Sequence, residues 1–346
     1  MARQRIEVFS RERESSAFGH NIFNNIISVE NFLISWQEFL KGKGKRTDVS
    51  EFSINLADNI YIIHKSLVSR QYKHGKYFAF KINDPKPRTI HKASVNDRLI
   101  HHAVCRILCP YFEKKFIFDS YSCRKDKGTH RALNRFKQNA RKVSKNDSII
   151  CWVLKGDIRK FFASIDHKIL MKILRKYIKD KDTLWLLNEI IGSFNTDTSI
   201  GLPLGNLTSQ LLINVYMSEF DQFVKRDLEV KYYIRYADDF AIMHRHKQFL
   251  VDLIPKLSEF LGRELKLSLH PDKVYVKTLS SGIDFLGWIN FPHHRILRTS
   301  TKKRMIRRLK KNQSKETLVS YLGLLKHGNA YKLMGKIGAF DIKSYS

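Results

Sequence analysis

The segment from Tyr232 to His244 places two adjacent aspartates between two short apolar and aromatic runs. Such runs are typical of strands, and the short polar centre predicts a tight hairpin with Asp238 and Asp239 at its tip. Aspartate is also common in turns for conformational reasons, because its short side chain bonds to nearby main chain and tolerates the turn. The pair alone therefore leaves a purely structural role open.

A third aspartate, Asp157, ends a continuous apolar run and precedes a helix-like segment. This pattern predicts a buried strand with a carboxylate at its end, although a helix N-cap is the alternative role. If Asp157 lies beside Asp238, their oxygens suit a pair of hard divalent cations that keep positions open for phosphate oxygens. Two such ions can activate a 3′-hydroxyl and stabilise leaving pyrophosphate in an in-line displacement.

These motifs resemble those of the reverse transcriptases, which share an Asp-x-x-x-x-(Phe/Tyr) segment and a Tyr-x-Asp-Asp hairpin. Three further segments resemble blocks of that family and occur in the family's order: residues 88–98 (triphosphate-binding fingers), 120–130 and 285–288 (primer grip). The resemblance covers roughly residues 75 to 300. It implies an α+β fold, the right-hand polymerase with fingers, an antiparallel-sheet palm and a short helical thumb. Residues 1–147 would form N-terminal helices and fingers, 148–290 the palm with helical insertions, and 291–346 a basic helical thumb.

The segment from Gly201 to Gln210 indicates which group of reverse transcriptases the chain resembles. Most reverse transcriptases have Gln-Gly-x-x-x-Ser-Pro, whereas this chain has Leu204 at the first position and Gln210 at the last. Both departures resemble the reverse transcriptases of diversity-generating retroelements, within the superfamily that includes group II intron and retron enzymes. Those enzymes copy a template-repeat RNA into cDNA with mutations at adenines. Leu204 removes a side-chain amide from a position that resembles a nucleotide contact, and Gly205 permits close approach of a ligand to the main chain.

The resemblance also assigns roles to single residues. Asp157, Asp238 and Asp239, together with Ile158, would hold two Mg²⁺ ions, for which Mn²⁺ is a substitute. Lys273 resembles the lysine that protonates leaving pyrophosphate. Nucleotide-binding roles fall on Arg88 at the triphosphate, Phe162 as a gate against a 2′-hydroxyl, and Leu204, Gly205 and Gln210 near the nascent pair.

The composition indicates a polyanionic partner. The 346 residues include 63 Lys and Arg against 33 Asp and Glu, a net charge of +30. Residues 291–346 contain 14 Lys and Arg but two acids. Cations at positions 304, 307, 308 and 311 recur at helical spacing, which predicts a basic stripe that binds phosphates. A basic membrane-surface helix is the alternative for this stripe, but no run approaches the ~20 apolar residues of a membrane span.

The four cysteines form no Cys-x-x-Cys pair, and we expect reduced thiols in a cytoplasmic protein. The family resemblance implies a bacterial or phage origin. Apolar packing is their default role, and a zinc site built from Cys105, Cys109 and His101 or His102 is the alternative. No apolar segment of the kind found in a signal peptide follows the charged residues at the start.

Periodicity predicts a set of helices and strands around these motifs. Helices are expected at 26–40, 50–68, 96–109, 128–143, 166–177, 182–192 and 249–264, and strands at 149–154, 274–279 and 283–289.

The function expected from the sequence is RNA-directed DNA synthesis within a diversity-generating retroelement. Its partners would be template RNA, the cDNA/RNA duplex, dNTPs and an oligomeric, small basic helical accessory variability protein, with no membrane. A retron-like or antiphage-defence reverse transcriptase is one alternative. A non-catalytic RNA-binding scaffold is another, but it would have no need to keep the three aspartates together.

Overall fold

The computed structural model describes residues 21–83, 87–311 and 314–342. The first 20 residues of the predicted finger region and the last four of the predicted thumb lie outside these ranges. The chain forms two compact units. Unit 1 comprises the chain up to Ile117, Lys160–Asp221 and Arg263–Leu267, and unit 2 comprises Phe118–Arg159, Gln222–Gly262 and Ser268–Ser346.

The α-helices of the described residues are α1 (Ile22–Ile27), α2 (Val29–Leu40), α3 (Thr47–Ile54), α4 (Leu56–Val68), α5 (Val95–Glu113), α6 (Thr129–Val143), α7 (His167–Tyr177), α8 (Lys181–Gly192), α9 (Leu207–Gln222), α10 (Lys247–Leu265), α11 (Thr299–Lys311), α12 (Lys315–Leu325) and α13 (Tyr331–Ile342). The strands are β1 (Phe78–Ile82), β2 (Arg88–Lys92), β3 (Trp152–Asp157), β4 (Tyr233–Tyr236), β5 (Asp239–His244), β6 (Tyr275–Thr278), β7 (Ile283–Phe285), β8 (Trp288–Asn290) and β9 (Arg295–Leu297).

Side-chain caps determine where several helices begin. Ser94 accepts from the amide of Asp97 at the start of α5, and Asp166 accepts from that of Ile169 at the start of α7. Such caps satisfy amides that have no partner inside the helix. Ser28 acts in the same way at the start of α2, so the predicted helix at 26–40 is two helices, α1 and α2. The predicted helix at 50–68 is likewise divided at Asn55, between α3 and α4.

Unit 1 is mainly helical, with one two-stranded antiparallel hairpin of β1 and β2. Its helices bury apolar side chains such as Phe32, Leu99 and Val104, all fully enclosed. The hairpin is less buried, and Phe78 in β1 is 68% exposed.

Unit 2 contains a four-stranded sheet in the order β4-β5-β3-β6, in which every pair is antiparallel. The predicted strand at 149–154 begins later, at Trp152, and extends to include Asp157. Gly156 lies opposite Phe240 in the register, and a Cβ there would come 2.2 Å from the Phe240 ring. The glycine before Asp157 is therefore required by close packing of the two strands.

A second antiparallel sheet in unit 2 corrects one prediction. Residues 283–289 form two strands, β7 and β8, because Leu286 and Gly287 both adopt positive φ, +53° and +84°. Positive φ at both central residues is the requirement of a two-residue hairpin turn whose twist matches the strands. The segment that resembles a primer grip is therefore this turn, with Phe285 paired to Trp288. Both aromatic side chains lie in the core of unit 2.

Helix α11 confirms that the basic stripe is helical. Thr301, Met305 and Leu309 form its buried face at four-residue spacing, and lysines and arginines occupy most of the remaining surface. Across the described ranges, no helix combines the length and apolar character needed to cross a bilayer.

Candidate functional site

The predicted hairpin is present in unit 2 and carries its two aspartates at the tip. Tyr236 pairs with Asp239, which leaves Ala237 and Asp238 as the turn residues. Ala237 has a φ of +56°, a left-handed conformation that costs energy in a residue with a side chain and is retained where the surroundings enforce it.

Arg235 supplies part of that enforcement. Its guanidinium is fully buried and donates to the carbonyl of Ala237 at 2.9 Å and to the hydroxyl of Ser120 at 3.1 Å. The main chain of Tyr121 donates to the carbonyl of Arg235 at 2.9 Å. The segment at 120–130 thus stabilises the aspartate hairpin through hydrogen bonds. From the sequence it was recognised only as a block that resembles the family.

The structure brings all three predicted aspartates together. Asp157, the last residue of β3, lies opposite Asp239, the first residue of β5. The amide of Ile158 donates to the carbonyl of Asp238 at 3.2 Å, which joins the hairpin tip to the end of β3. Burial and, secondarily, the negative charge of Asp157 raise the pKa of Asp238. Added positive charge would relieve this repulsion.

Lys273 also lies at this centre, as predicted. The amide of His270 donates to the carbonyl of Asp157 at 2.8 Å, so the short turn before β6 is fixed against the end of β3. The ammonium of Lys273 then lies 2.7 Å from Oδ1 of Asp157, with its side chain 43% exposed. This exposure leaves the lysine able to exchange Asp157 for another anion.

Lys155, the second cation of the centre, was not predicted from the sequence. Its side chain is 7% exposed and its ammonium pairs with Oδ1 of Asp239. Burial lowers the pKa of Lys155 to about 8, although the charges of Asp157, Asp284 and Asp238 act in the opposite direction. The signal available in the sequence was a lysine inside an otherwise apolar strand, since lysine is almost never buried without a partner.

The donor chemistry of this centre fits hard cations, because carboxylates are the ligands that Mg²⁺ prefers in proteins. Two of the three carboxylates, Asp157 and Asp239, are paired with lysines. Within the described ranges, no group of three His, Cys, Asp or Glu side chains is arranged to hold a metal. The lysines thus occupy oxygens that a cation would have to take over.

The zinc alternative at Cys105 and Cys109 is not supported, because the described residues contain no metal-binding arrangement of three His, Cys, Asp or Glu side chains. All four cysteines are free thiols. Cys105 and Cys151 are buried, and burial raises the pKa of Cys151 to about 12.

In unit 1, the segment Gly201–Gln210 lies against β2. The amide of His91 donates to the carbonyl of Leu204 at 3.0 Å, and the side chain of Asn206 donates to the carbonyl of His91 at 3.0 Å. Gly205 has a φ of +105°, and a Cβ there would come 2.7 Å from Ile90. Glycine is therefore required at 205 for both its conformation and its close packing.

A pocket of about 360 Å³ in unit 1 opens beside this segment. Gly205 and Gln210 contribute to its wall, as does a group of cations, Lys43, Arg46, Lys92 and Arg98. Asp48 pairs with Lys92 at 2.7 Å and with Arg98 at 2.5 Å. Burial, then the charges of Arg98 and Arg46, lower the pKa of Lys43. Four cations against one acid make a site that an anion would stabilise.

The other predicted nucleotide-binding residues differ in placement. Phe162 is half-buried, and its carbonyl accepts from the amide of Leu202 at 2.8 Å, which joins it to the Gly201–Gln210 segment. Its neighbour Phe161 is a core residue, 3% exposed. Arg88 is exposed at the start of β2 and the described pocket wall does not include it, so its triphosphate contact stays a prediction. Leu204 contacts β2 through its main-chain carbonyl, which accepts from the amide of His91.

Comparison with known proteins identifies the class. Residues 75–290, well over half of the chain, match the family model described as reverse transcriptase (RNA-dependent DNA polymerase). The chain belongs to this family and is an RNA-directed DNA polymerase by that membership. The predicted range of the resemblance, roughly 75 to 300, is thereby confirmed.

Individual relatives include bacterial and intron-encoded proteins. Protein YkfC of Escherichia coli is 25% identical over 71% of this chain and 73% of its own length. The group II intron-encoded protein LtrA of Lactococcus lactis subsp. cremoris is 25% identical over 64% of this chain, and a putative COX1/OXI3 intron 1 protein of Saccharomyces cerevisiae is 24% identical over 73%. The chain spans 38% and 31% of these two intron proteins.

A solved structure shares the fold. The apo telomerase of Candida tropicalis, truncated from its C-terminal domain, superposes with a TM-score of 0.50 over 66% of this chain and 55% of that chain. The sequences are 13% identical, so this likeness concerns the fold alone.

The buried pair of Lys155 and Asp239 allows a test of stability. Lys155→Met is expected to lower the free energy of unfolding by about 1–3 kcal/mol, because partly enclosed Asp239 loses a charge-assisted hydrogen bond. Lys273→Met removes the more exposed pair and is expected to cost less than ~1 kcal/mol. Urea unfolding of both variants at neutral pH measures the difference. Equal losses would show that the burial of Lys155 has no energetic consequence.

Proposed function

We propose that this chain is the reverse transcriptase of a diversity-generating retroelement, which copies a template-repeat RNA into cDNA with mutations at adenines. The observation that carries the polymerase chemistry is the meeting of Asp157, Asp238 and Asp239 at one end of the β4-β5-β3-β6 sheet. The retroelement assignment rests on Leu204 and Gln210, where most of the family has Gln and Pro.

In the proposed mechanism, the three aspartates and the carbonyl of Ile158 would hold two Mg²⁺ ions, for which Mn²⁺ would be a substitute. Bound there, the ions would activate the 3′-hydroxyl and stabilise the leaving pyrophosphate. Lys273, whose ammonium pairs with Asp157 at 2.7 Å, would give a proton to the leaving group. Lys155 would keep Asp239 in position from inside the sheet.

Residues of unit 1 would bind the nucleotide. The cations around the 360 Å³ pocket would bind phosphates of a nucleotide or of the template, with Gly205 allowing close approach to the main chain. Phe162 would stack beneath the sugar and exclude a 2′-hydroxyl, which favours dNTPs over ribonucleotides. Arg88 would reach the triphosphate from the β1–β2 hairpin.

We assign the palm to residues 148–290, the fingers to 1–147 and the thumb to 291–346. Support for the palm comes from its antiparallel sheet, which carries all three aspartates. The helices within residues 160–221, which group with unit 1, support insertions in the palm sequence, whereas residues 118–147 of the proposed fingers group with the sheet in unit 2. Template RNA, the cDNA/RNA duplex and an accessory variability protein are the proposed partners.

Intron-encoded relatives favour a second candidate, the reverse transcriptase of a group II intron. Retron-like and antiphage-defence enzymes would share the same three aspartates. The arrangement of the DNA that flanks the gene distinguishes these candidate functions. A template repeat with a variable repeat supports the retroelement enzyme, and a flanking intron supports the intron enzyme.

A substitution at Leu204 tests the retroelement assignment through its effect on base selection. Leu204→Gln is expected to lower misincorporation opposite template adenine a few-fold to about tenfold, because a restored hydrogen bond contributes ~0.5–1.5 kcal/mol. The measurement is the substitution spectrum of full-length cDNA copied from one RNA at equal dNTP concentrations. Leu204→Met, which keeps the volume without an amide, is the control and should retain the wild-type spectrum.

Two outcomes would contradict this prediction in different ways. An unchanged adenine error rate in Leu204→Gln would show that residue 204 does not control base selection. A low adenine error rate in the unmodified enzyme, with its accessory protein present, would move the assignment to the retron or defence class.

A further inference from the structure

Unit 2 contains a second cavity, of about 540 Å³, which we call the distal pocket. Its lining includes six basic or aromatic residues: Lys231, Tyr232, His244, Arg245, His246 and Phe249. Its volume falls in the range of sites that hold a ligand of nucleotide size.

The distal pocket lies at the end of the main sheet away from the aspartates. His244, at the pocket, pairs with Trp152 at the start of β3, whereas Asp239 pairs with Asp157 at its end. Five residue steps along β5 separate the two ends, and strands rise by about 3.4 Å per residue, so the separation is about 17 Å. No residue assigned to polymerisation lines this pocket.

The walls of the distal pocket combine positive charge with exposed aromatic surface. Lys231 and Arg245 are exposed cations, and Glu229 is the one acid among the lining residues. Phe249 is 37% exposed, and its ring centre lies 4.2 Å from that of His244. Cations beside accessible rings are the combination by which proteins bind single-stranded nucleic acid, since phosphates meet the cations and bases stack on the rings.

The pocket is organised by its own hydrogen bonds. The amide of His246 donates to Nδ1 of His244 at 3.2 Å, and Nε of Arg245 donates to the carbonyl of Val143 at 3.1 Å. At two other lining residues, Val230 and Lys231, the carbonyls both accept from the ammonium of Lys225 at 2.9 Å. A wall already held in place loses less conformational entropy when a ligand binds.

We propose that the distal pocket binds an unpaired nucleotide of single-stranded RNA. The base stacks on Phe249 or Tyr232, and the adjoining phosphates contact Arg245 and Lys231. Unpaired RNA is the occupant favoured by the aromatic surface, which an acidic protein would not require. The pocket thereby anchors RNA outside the duplex that is being copied, a function additional to polymerisation.

Crosslinking tests the location. The full chain, first saturated with a blunt primer–template hairpin, is irradiated with a 20-nucleotide single-stranded RNA that carries 4-thiouridine, and the crosslinked peptides are identified by mass spectrometry. Crosslinks within residues 228–249 are expected. Crosslinks confined to other parts of the chain would overturn the proposal.

Binding of the same RNA to matched variants tests the chemistry. Phe249→Ala combined with Arg245→Gln is expected to weaken binding at least tenfold, since it removes a stacking ring and a phosphate contact. The control, Tyr61→Ala with Lys65→Gln, removes an exposed ring and an exposed cation from α4 in unit 1 and should bind as the wild type does. If the double variant is poorly folded by circular dichroism, Phe249→Leu with Lys231→Gln replaces it.

Two further measurements distinguish RNA binding at the distal pocket from the polymerase function and from binding of an acidic protein. Extension of oligo(dT) on poly(rA) by the pocket variant should stay within twofold of the wild-type rate. If the wild-type enzyme itself does not extend the primer, that result contradicts the proposed polymerase function and not the RNA-binding role of the pocket. Equal affinity of the pocket and control variants for the RNA would overturn the proposal. So would competition by polyglutamate that is as effective as competition by RNA, since this would indicate an acidic protein partner.

Discussion

Asp157→Asn and Asp238→Asn are each expected to lower primer extension at least ~10³-fold while leaving RNA affinity within about twofold of wild type. The amide keeps the shape of the side chain but binds cations poorly, and a loss of several kcal/mol of transition-state stabilisation gives a rate effect of this size. Burial and, secondarily, the charge of Asp157 raise the pKa of Asp238. RNA binding should persist because the basic surfaces are unchanged.

The measurement is single-turnover extension of oligo(dT) on poly(rA), with RNA affinity determined in parallel. Asp272→Asn provides a matched control, because Asp272 belongs to the same turn as Lys273 and its side chain is 88% exposed. This variant should extend primers at the wild-type rate. Near-wild-type extension by Asp157→Asn would contradict the assignment of the catalytic centre.

RNA binding is expected to fall steeply with salt. A surface that contacts about six phosphates loses about 10³-fold in affinity between 50 and 200 mM salt, because each neutralised phosphate releases counterions. The exposed arc of α11 should supply part of this dependence. Lys303, Arg307 and Lys310 lie on the side of α11 away from buried Met305, so they are the cations best placed for phosphates.

Changing these three cations together to Gln should reduce the slope of log affinity against log salt by about 2–3, at ~0.7–0.9 per phosphate contact. The control removes three exposed cations from α7 in unit 1, Lys168, Lys172 and Arg175, and so makes the same change in net charge. Titrations at several salt concentrations give both slopes. Equal slopes for the two variants would mean that α11 affects binding only through overall charge.

Much of the catalytic centre could be predicted from the sequence because its signals are local. A turn of two residues between aromatic strands, and an apolar run that ends in an acid, each reflect the alternation and burial of one strand. The family resemblance then supplied Lys273, which the structure places against Asp157. The basic helix was also predictable, since its cations recur at three- and four-residue spacing.

Other features depend on residues distant in sequence. Lys155 finds Asp239 only because β3 and β5 pair, and Arg235 supports the aspartate turn only because residues 119–121 lie beside β4. The break between β7 and β8 is local, but it depends on positive φ at Leu286, which is uncommon for a leucine and was not indicated by the apolar run.

The sequence by itself determined the chemical class of this protein. The features that indicate it are the three aspartates, the order of the family motifs and the excess of positive charge. Tertiary structure decided which cations are tied to carboxylates and which line pockets. The physical reason is that an isolated lysine or arginine is equally compatible with solvent, an ion pair or a phosphate site. Burial and the neighbours brought by strand pairing select among these, as they do for Lys155 inside the sheet and for Arg245 at its far end.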